Sequence, residues 1–103
     1  MFGEIFICQF PFSSGAFSKA RPALVLFDLG QDALICRVTS VLRNGPLDVA
    51  ITDWAHAGLA KPSMARLDRL VTAEKTILGR RLGILTPSDQ AAIRASWNQF
   101  MRL

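Results

Sequence analysis

Lys19-Ala20-Arg21-Pro22-Ala23-Leu24-Val25-Leu26 runs a basic loop end into an apolar strand, and it gains meaning from Val38-Thr39-Ser40, the end of a second apolar run. If the two runs are neighbouring strands of one small sheet, spaced about 4.8 Å apart, a guanidinium and a hydroxyl converge on one phosphate. Arg21 at the strand mouth and Thr39 are therefore the candidate site.

The remaining elements follow outward from this pair. Glu4 to Phe10 is rich in Ile and Phe on both faces and reads as a buried strand, ended by Pro11. The stretch from Pro11 to Lys19 reads as a loop, in which Phe12 and Phe17 either stack on nucleic-acid bases or fold back onto the core. Pro22 to Phe27, a polar turn at Asp28 to Asp32, and Ala33 to Val41 have hairpin syntax, with Ile35, Arg37 and Thr39 on one face. Arg43-Asn44-Gly45-Pro46 is a turn before a short returning strand, Leu47 to Ile51. Asp53 to Pro62 lacks periodicity and reads as a loop or a single helical turn. Ser63 to Ile77 is a long strand with Met64, Arg66, Asp68, Leu70 and Thr72 on one face. Ala65, Leu67, Val71 and Ala73 form its core face, which Arg69 interrupts, so a bulge is expected near the middle. Gly79-Arg80-Arg81-Leu82-Gly83 reads as a basic turn. Thr86-Pro87-Ser88-Asp89 then starts a helix to about Met101, with Ile93, Trp97, Phe100 and Met101 as its apolar stripe.

A chain of 103 residues is expected to form one domain over 1–103. Half of the residues are hydrophobic and 19% are charged, which supplies a core without disulfides or a structural metal and argues against disorder. The net charge is +4, and the 12 basic residues include only three lysines, Lys19, Lys61 and Lys75. Arginine presents a planar fork that matches phosphate oxygens, which favours nucleic acid as partner over plain solubility charge. Cys8 and Cys36 lie inside predicted strands and read as reduced, buried thiols. The N-terminus lacks a basic lead, and no run approaches the roughly 20 apolar residues of a membrane span. The expected location is the cytoplasm, with no membrane partner. The single histidine, His56, has no ligand spacing around it, so no metal and no cofactor are expected. Flanked by alanines, it reads as a surface or packing residue rather than an acid or base.

The order Gly3-Glu4-Ile5, a variable loop, Arg21-Pro22-Ala23-Leu24-Val25, Val38-Thr39-Ser40, Arg66-Leu67-Asp68 on a long strand and a closing Thr86-Pro87 helix resembles the MazF/PemK (Kid) toxin family across almost the whole chain. The resemblance implies a mainly β fold with short helices, a small SH3-like β-barrel of the CcdB/MazF type with a C-terminal helix, acting as a homodimer. It further implies a type II toxin that is a metal-independent endoribonuclease on single-stranded RNA, an mRNA interferase, held inactive by a cognate antitoxin. Carried over motif by motif, Arg21 and Thr39 are the catalytic pair, with Ser40, Arg66 and Asp68 lining the RNA site. Two features depart from the family pattern. Phe12 to Ala20 contains no histidine, so a scheme using a first-loop histidine does not transfer. Arg37 stands where relatives tend to have proline, and it either adds a phosphate contact, alters sequence preference or points outward with no specific role.

The chemistry leads the same way. Cutting RNA without metal uses the 2′-hydroxyl as nucleophile, so the site must stabilise added charge on the phosphorus oxygens. Arg21 suits that task, Thr39 can orient the phosphate, Asp68 is an available base, and Lys19, Arg37, Ser40 and Arg66 are candidate RNA-binding residues. Arginine is a poor proton carrier at neutral pH, which leaves the general acid unassigned. The alternatives are a CcdB-like toxin that binds DNA gyrase through its C-terminal helix, with which Trp97 is compatible, and a catalytically silent nucleic-acid-binding domain of the same fold.

Overall fold

The structure, a computed structural model, describes residues 1–11 and 18–103, with side chains described at 1–9 and 20–103. The expectations for Phe12, Phe17 and the Lys19 side chain lie outside the described residues.

The expected hairpin is present as β2 (Ser18–Leu29) and β3 (Asp32–Thr39), turned by Gly30-Gln31. Asp28 holds the turn from its carboxylate: it accepts from Gly30 N at 3.0 Å and pairs with Lys75. β1 (Glu4–Pro11) runs antiparallel to β2, with Ile5 opposite Leu24 and Cys8 opposite Arg21. On the other side β3 pairs with β5 (Ser63–Glu74), and β5 pairs with β4 (Asp48–Ile51). β6 (Leu78–Ile84) adds to the free side of β1. The result is a six-stranded sheet in the order β4-β5-β3-β2-β1-β6, every pairing antiparallel, followed by one helix, α1 (Pro87–Phe100). This is the expected mainly β fold with a C-terminal helix. Its edges, β4 and β6, are not paired with each other among the described residues, so closure into a barrel is not shown.

Four local readings change. β2 begins at Ser18 and continues the pairing with β1, so Arg21 lies inside the strand opposite Cys8 and not at its mouth. Gly79 to Gly83 is part of strand β6, not a turn. A Cβ on Gly83 would come within 2.6 Å of the Ala57 carbonyl oxygen, so this glycine allows close backbone approach rather than chain reversal. The facing Gly58 has φ +86° and would bring a Cβ within 2.1 Å of the Leu82 oxygen. Together they lock the segment after β4 onto β6. The long strand ends at Glu74, and Lys75–Ile77 is a 3₁₀ turn anchored by Lys75 N donating to Gln31 O at 2.9 Å. The short strand β4 pairs with β5 and not with β3, although it follows β3 in the chain.

The bulge in β5 is where Arg69 foretold it. Cys36 faces Leu70 while the next residue, Arg37, faces Arg66, which leaves Leu67, Asp68 and Arg69 between consecutive pairs. Alternation of β2 and β3 sends apolar side chains to both faces. Leu24, Leu26, Cys36 and Val38 join Ile51, Leu67, Leu85 and Ile93 on one side. Ala23, Val25 and Ile35 join Cys8 and Ala33 on the other. Both cysteines are free and buried, and burial pushes their thiols up, Cys8 to about 11 and Cys36 to about 12, so both are inert at neutral pH.

The helix begins as its sequence requires. Thr86 caps it by accepting from Asp89 N at 3.3 Å, and Pro87 fills the first position. Ile93 is buried and Trp97 packs against the same core, whereas Phe100 stays exposed. Asp89 does more than complement the helix dipole. Buried to 2% exposure, its carboxylate accepts from Thr52 N at 3.1 Å, Thr52 Oγ1 at 2.6 Å and Asp53 N at 2.9 Å, stitching the helix to the end of β4. No described helix is long and apolar enough to cross a membrane.

Candidate anion-binding cleft

Arg21 and Thr39 come together. The β2–β3 register sets Ala23 opposite Arg37, and Arg21 and Thr39 each stand two residues beyond that last pair on their own strands. Both line a cleft of about 250 Å³ at this end of the sheet, together with Pro22, Arg37, Ser40 and Val41. Arg21, Ala23 and Val25 alternate onto one face, so the same pleat that buries Ala23 and Val25 delivers the guanidinium to the cleft.

Arg21 Nε is shielded from solvent and has no hydrogen-bond partner among the described residues. A donor of this kind needs an acceptor from water or from a ligand, and an anionic ligand makes the stronger, charge-assisted bond. Thr39 Oγ1 accepts from Val41 N at 3.1 Å, which fixes the hydroxyl and leaves its hydrogen to donate into the cleft. Arg37 also lines the cleft. Burial first, and then the charges of Arg21, Arg66, Arg69 and Arg43, push its guanidinium below its ordinary value. Like charges gathered in this way repel, and an anion bound among them relieves the repulsion.

Other predicted site residues are placed elsewhere. Arg66 is 8% exposed and does not line the cleft; its Nε stands 3.5 Å from Asp48 Oδ1 and 3.9 Å from Asp68 Oδ1. Its charge still reaches Arg37. Asp68 projects from the bulge, half exposed, and is not among the residues lining the cleft. His56 is exposed within the turn that follows β4, also away from the cleft. Glu4 is structural: a hydrogen bond from Arg81 at 2.6 Å, with the N-terminus at 3.0 Å, holds its carboxyl below the usual range.

Sequence reasoning missed Lys61 and Ser63, which line the same cleft beside Leu59 and Ala60. The signal was topological. Because β5 starts beside the end of β3, with Met64 opposite Thr39, the residues leading into β5 must border Thr39 and Ser40. Among the described residues no group of His, Cys, Asp or Glu side chains could hold a metal ion. The lining combines cations, hydroxyls and apolar side chains, a surface suited to a phosphodiester with an attached base.

Comparison with known proteins agrees with this reading of the fold. The Mycobacterium tuberculosis toxin MazF-mt6 superposes with a TM-score of 0.76 at 27% identity, covering 95% of this chain and 96% of that one. An endoribonuclease from a mycobacterial species, solved with its cognate antitoxin, gives 0.76 at 21% identity over 98% and 93%. MazF in a MazE-MazF complex from Deinococcus radiodurans gives 0.70 at 20% identity over 98% and 92%. No curated protein sequence matches the chain. The family described as PemK-like, MazF-like toxin of type II toxin-antitoxin system matches residues 1–101, and the chain belongs to that family.

Proposed function

We propose that the chain is a toxin that cuts single-stranded RNA without a metal, using Arg21 and Thr39 as its catalytic residues. The observation that carries this reading is the solvent-shielded Arg21 Nε, without a hydrogen-bond partner among the described residues, in a cleft that Thr39 also lines. The 2′-oxygen attacks phosphorus, the bond to the 5′-oxygen breaks, and the proton of the 2′-hydroxyl is balanced by the one taken up by the leaving 5′-oxygen. Arg21 and Arg37 stabilise charge on the non-bridging oxygens, the contribution that is usually largest when donors are placed in advance. Thr39 and Ser40 orient the phosphate, with Lys19 and Arg66 adding to the positive field along the RNA. A structural relative bears the name endoribonuclease, in keeping with this assignment.

Incubation of purified protein with a long single-stranded RNA in EDTA tests the proposal. The expected products carry a 2′,3′-cyclic phosphate, or its opened 3′-phosphate, and a 5′-hydroxyl. A strict magnesium requirement would overturn it.

The active form is a homodimer restrained by a cognate antitoxin, as complexes of its relatives have such a partner. An acidic, initially disordered antitoxin segment suits a +4 chain and releases readily, because folding on binding lowers its net affinity. Sedimentation should give twice the monomer mass of 11.3 kDa, and the acidic segment should compete with RNA. A monomer at micromolar concentration, or simultaneous binding of segment and RNA, contradicts the corresponding part.

A further inference from the structure

We infer that Lys61 holds the phosphate next to the one at Arg21, making it a substrate-binding residue of the cleft. This rests on the reading of the cleft as a site for single-stranded RNA. Lys61 lines the cleft with Arg21, Arg37, Thr39 and Ser40, although it comes from the segment that leads into β5. In the sheet order β5-β3-β2 the Lys61 and Arg21 sides flank the Thr39-Ser40 end of β3. Two strand spacings, about 10 Å at the backbone, separate them. The two cations therefore stand on opposite flanks of the Thr39 and Ser40 hydroxyls, and the long, flexible Lys61 side chain can reach in towards a phosphate neighbouring the one at Arg21.

The segment carrying Lys61 is held from several directions. Leu59 is buried in the core and its N donates to Trp54 O at 3.0 Å. Gly58 is locked against Leu82. Ser63 Oγ donates to Lys61 O at 2.8 Å, fixing the Lys61 backbone to the start of β5. The Lys61 side chain itself is exposed and makes no hydrogen bond or ion pair among the described residues. A rigid backbone thus presents a flexible ammonium, which suits a phosphate that must be held but not activated, whereas the planar fork of Arg21 suits the reacting one.

Lys61→Gln and Lys61→Arg test this with two probes, a short single-stranded RNA bearing 2′-O-methyl groups throughout, which cannot be cut, and a dinucleotide with one phosphate. Because the exposed Lys61 side chain makes no hydrogen bond or ion pair among the described residues, both variants should melt as wild type does. K61Q should weaken binding of the methylated RNA about tenfold, the weight of one charge-assisted contact. The slope of log affinity against log salt should fall by about 0.7, one phosphate contact on a single strand. K61R should restore both. With cleavable RNA, K61Q should raise KM and leave kcat near wild type, since the contact is the same in ground and transition states. Cleavage of the dinucleotide should be unaffected.

Unchanged affinity and salt slope in K61Q overturn the inference, as does an equal loss with the dinucleotide, which would put Lys61 on the reacting phosphate. Wild-type protein that binds the methylated RNA but cuts no RNA would fail the ribonuclease reading alone, and the binding comparison would still decide the role of Lys61.

Discussion

Arg21→Ala loses about 100- to 1,000-fold in RNA cleavage while the protein remains folded. The size is that of removing one pre-placed donor from developing charge. The fold survives because Arg21, inside β2 opposite Cys8, is only half buried and its Nε supports no internal hydrogen bond among the described residues. Thr39 needs finer substitutions, since its oxygen also holds Val41 N. Thr39→Ser keeps both functions of the hydroxyl and should retain activity, whereas Thr39→Ala should lose it. Asp68→Asn separates two roles for a carboxylate that stands 3.9 Å from Arg66 and outside the cleft. Rate within about threefold of wild type is expected if it serves only the long ion pair with the buried Arg66, whose closer partner is Asp48 at 3.5 Å. A loss above tenfold with RNA binding kept would make it the base. His56→Ala should leave cleavage unchanged. Single-turnover rates on one RNA, with melting curves of each variant, read all of these.

Asp89→Ala destabilises the protein by about 2 to 4 kcal/mol and does so without touching the cleft. The substitution strands Thr52 N and Asp53 N, both now satisfied by the carboxylate, and removes an acidic residue from the first turn of α1. Burial pushes the Asp89 carboxyl up, but the bonds from Thr52, Asp53 and Thr86 outweigh it and hold the group below its ordinary value. The direction of the pH effect follows. A carboxyl depressed in the folded state contributes stability that is fully present above its unfolded value, about 3.9, and is lost as pH falls through the folded value. Wild type should therefore lose stability on acidification below about pH 4, and Asp89→Ala should show a shallower loss over that range. Urea unfolding at a series of pH values measures it. Parallel curves for the two proteins would remove Asp89 from the account of acid sensitivity.

The parts of the fold that could be read from sequence are those whose signals are local. Alternation through Ala23 to Val25 and Leu34 to Val38, joined at Asp28 to Asp32, specified the β2–β3 hairpin, and that hairpin brings Arg21 and Thr39 together. Arg69 on an otherwise apolar face correctly announced the bulge. β6 was hidden because Gly79 and Gly83 have the composition of a turn, while their need for close backbone contact depends on Ile7 and Ala57, far away in the chain. Asp89 was recognisable as an acid at a helix start, yet its partners are 36 and 37 residues earlier. Arg66 and Arg37 are both basic strand residues on one face in the sequence. Only the register, which sets Arg66 beside Asp48 as well as Arg37, distinguishes a charge tied into an ion pair from one that lines the cleft.

The most direct test of the central claim is a titration that follows the arginine Nε–H resonances by NMR. The ligand is a single-stranded RNA with a 2′-deoxy sugar at its cut site, and the Arg21 signal is assigned by its loss in Arg21→Lys. The account predicts that the Arg21 Nε–H signal shifts saturably as the RNA phosphate becomes its acceptor, while Arg94, which lies over the Phe2 ring beside α1, keeps its position. An Arg21 signal that stays in place while resonances along the groove of Phe2, Phe27 and Trp97 move would contradict it.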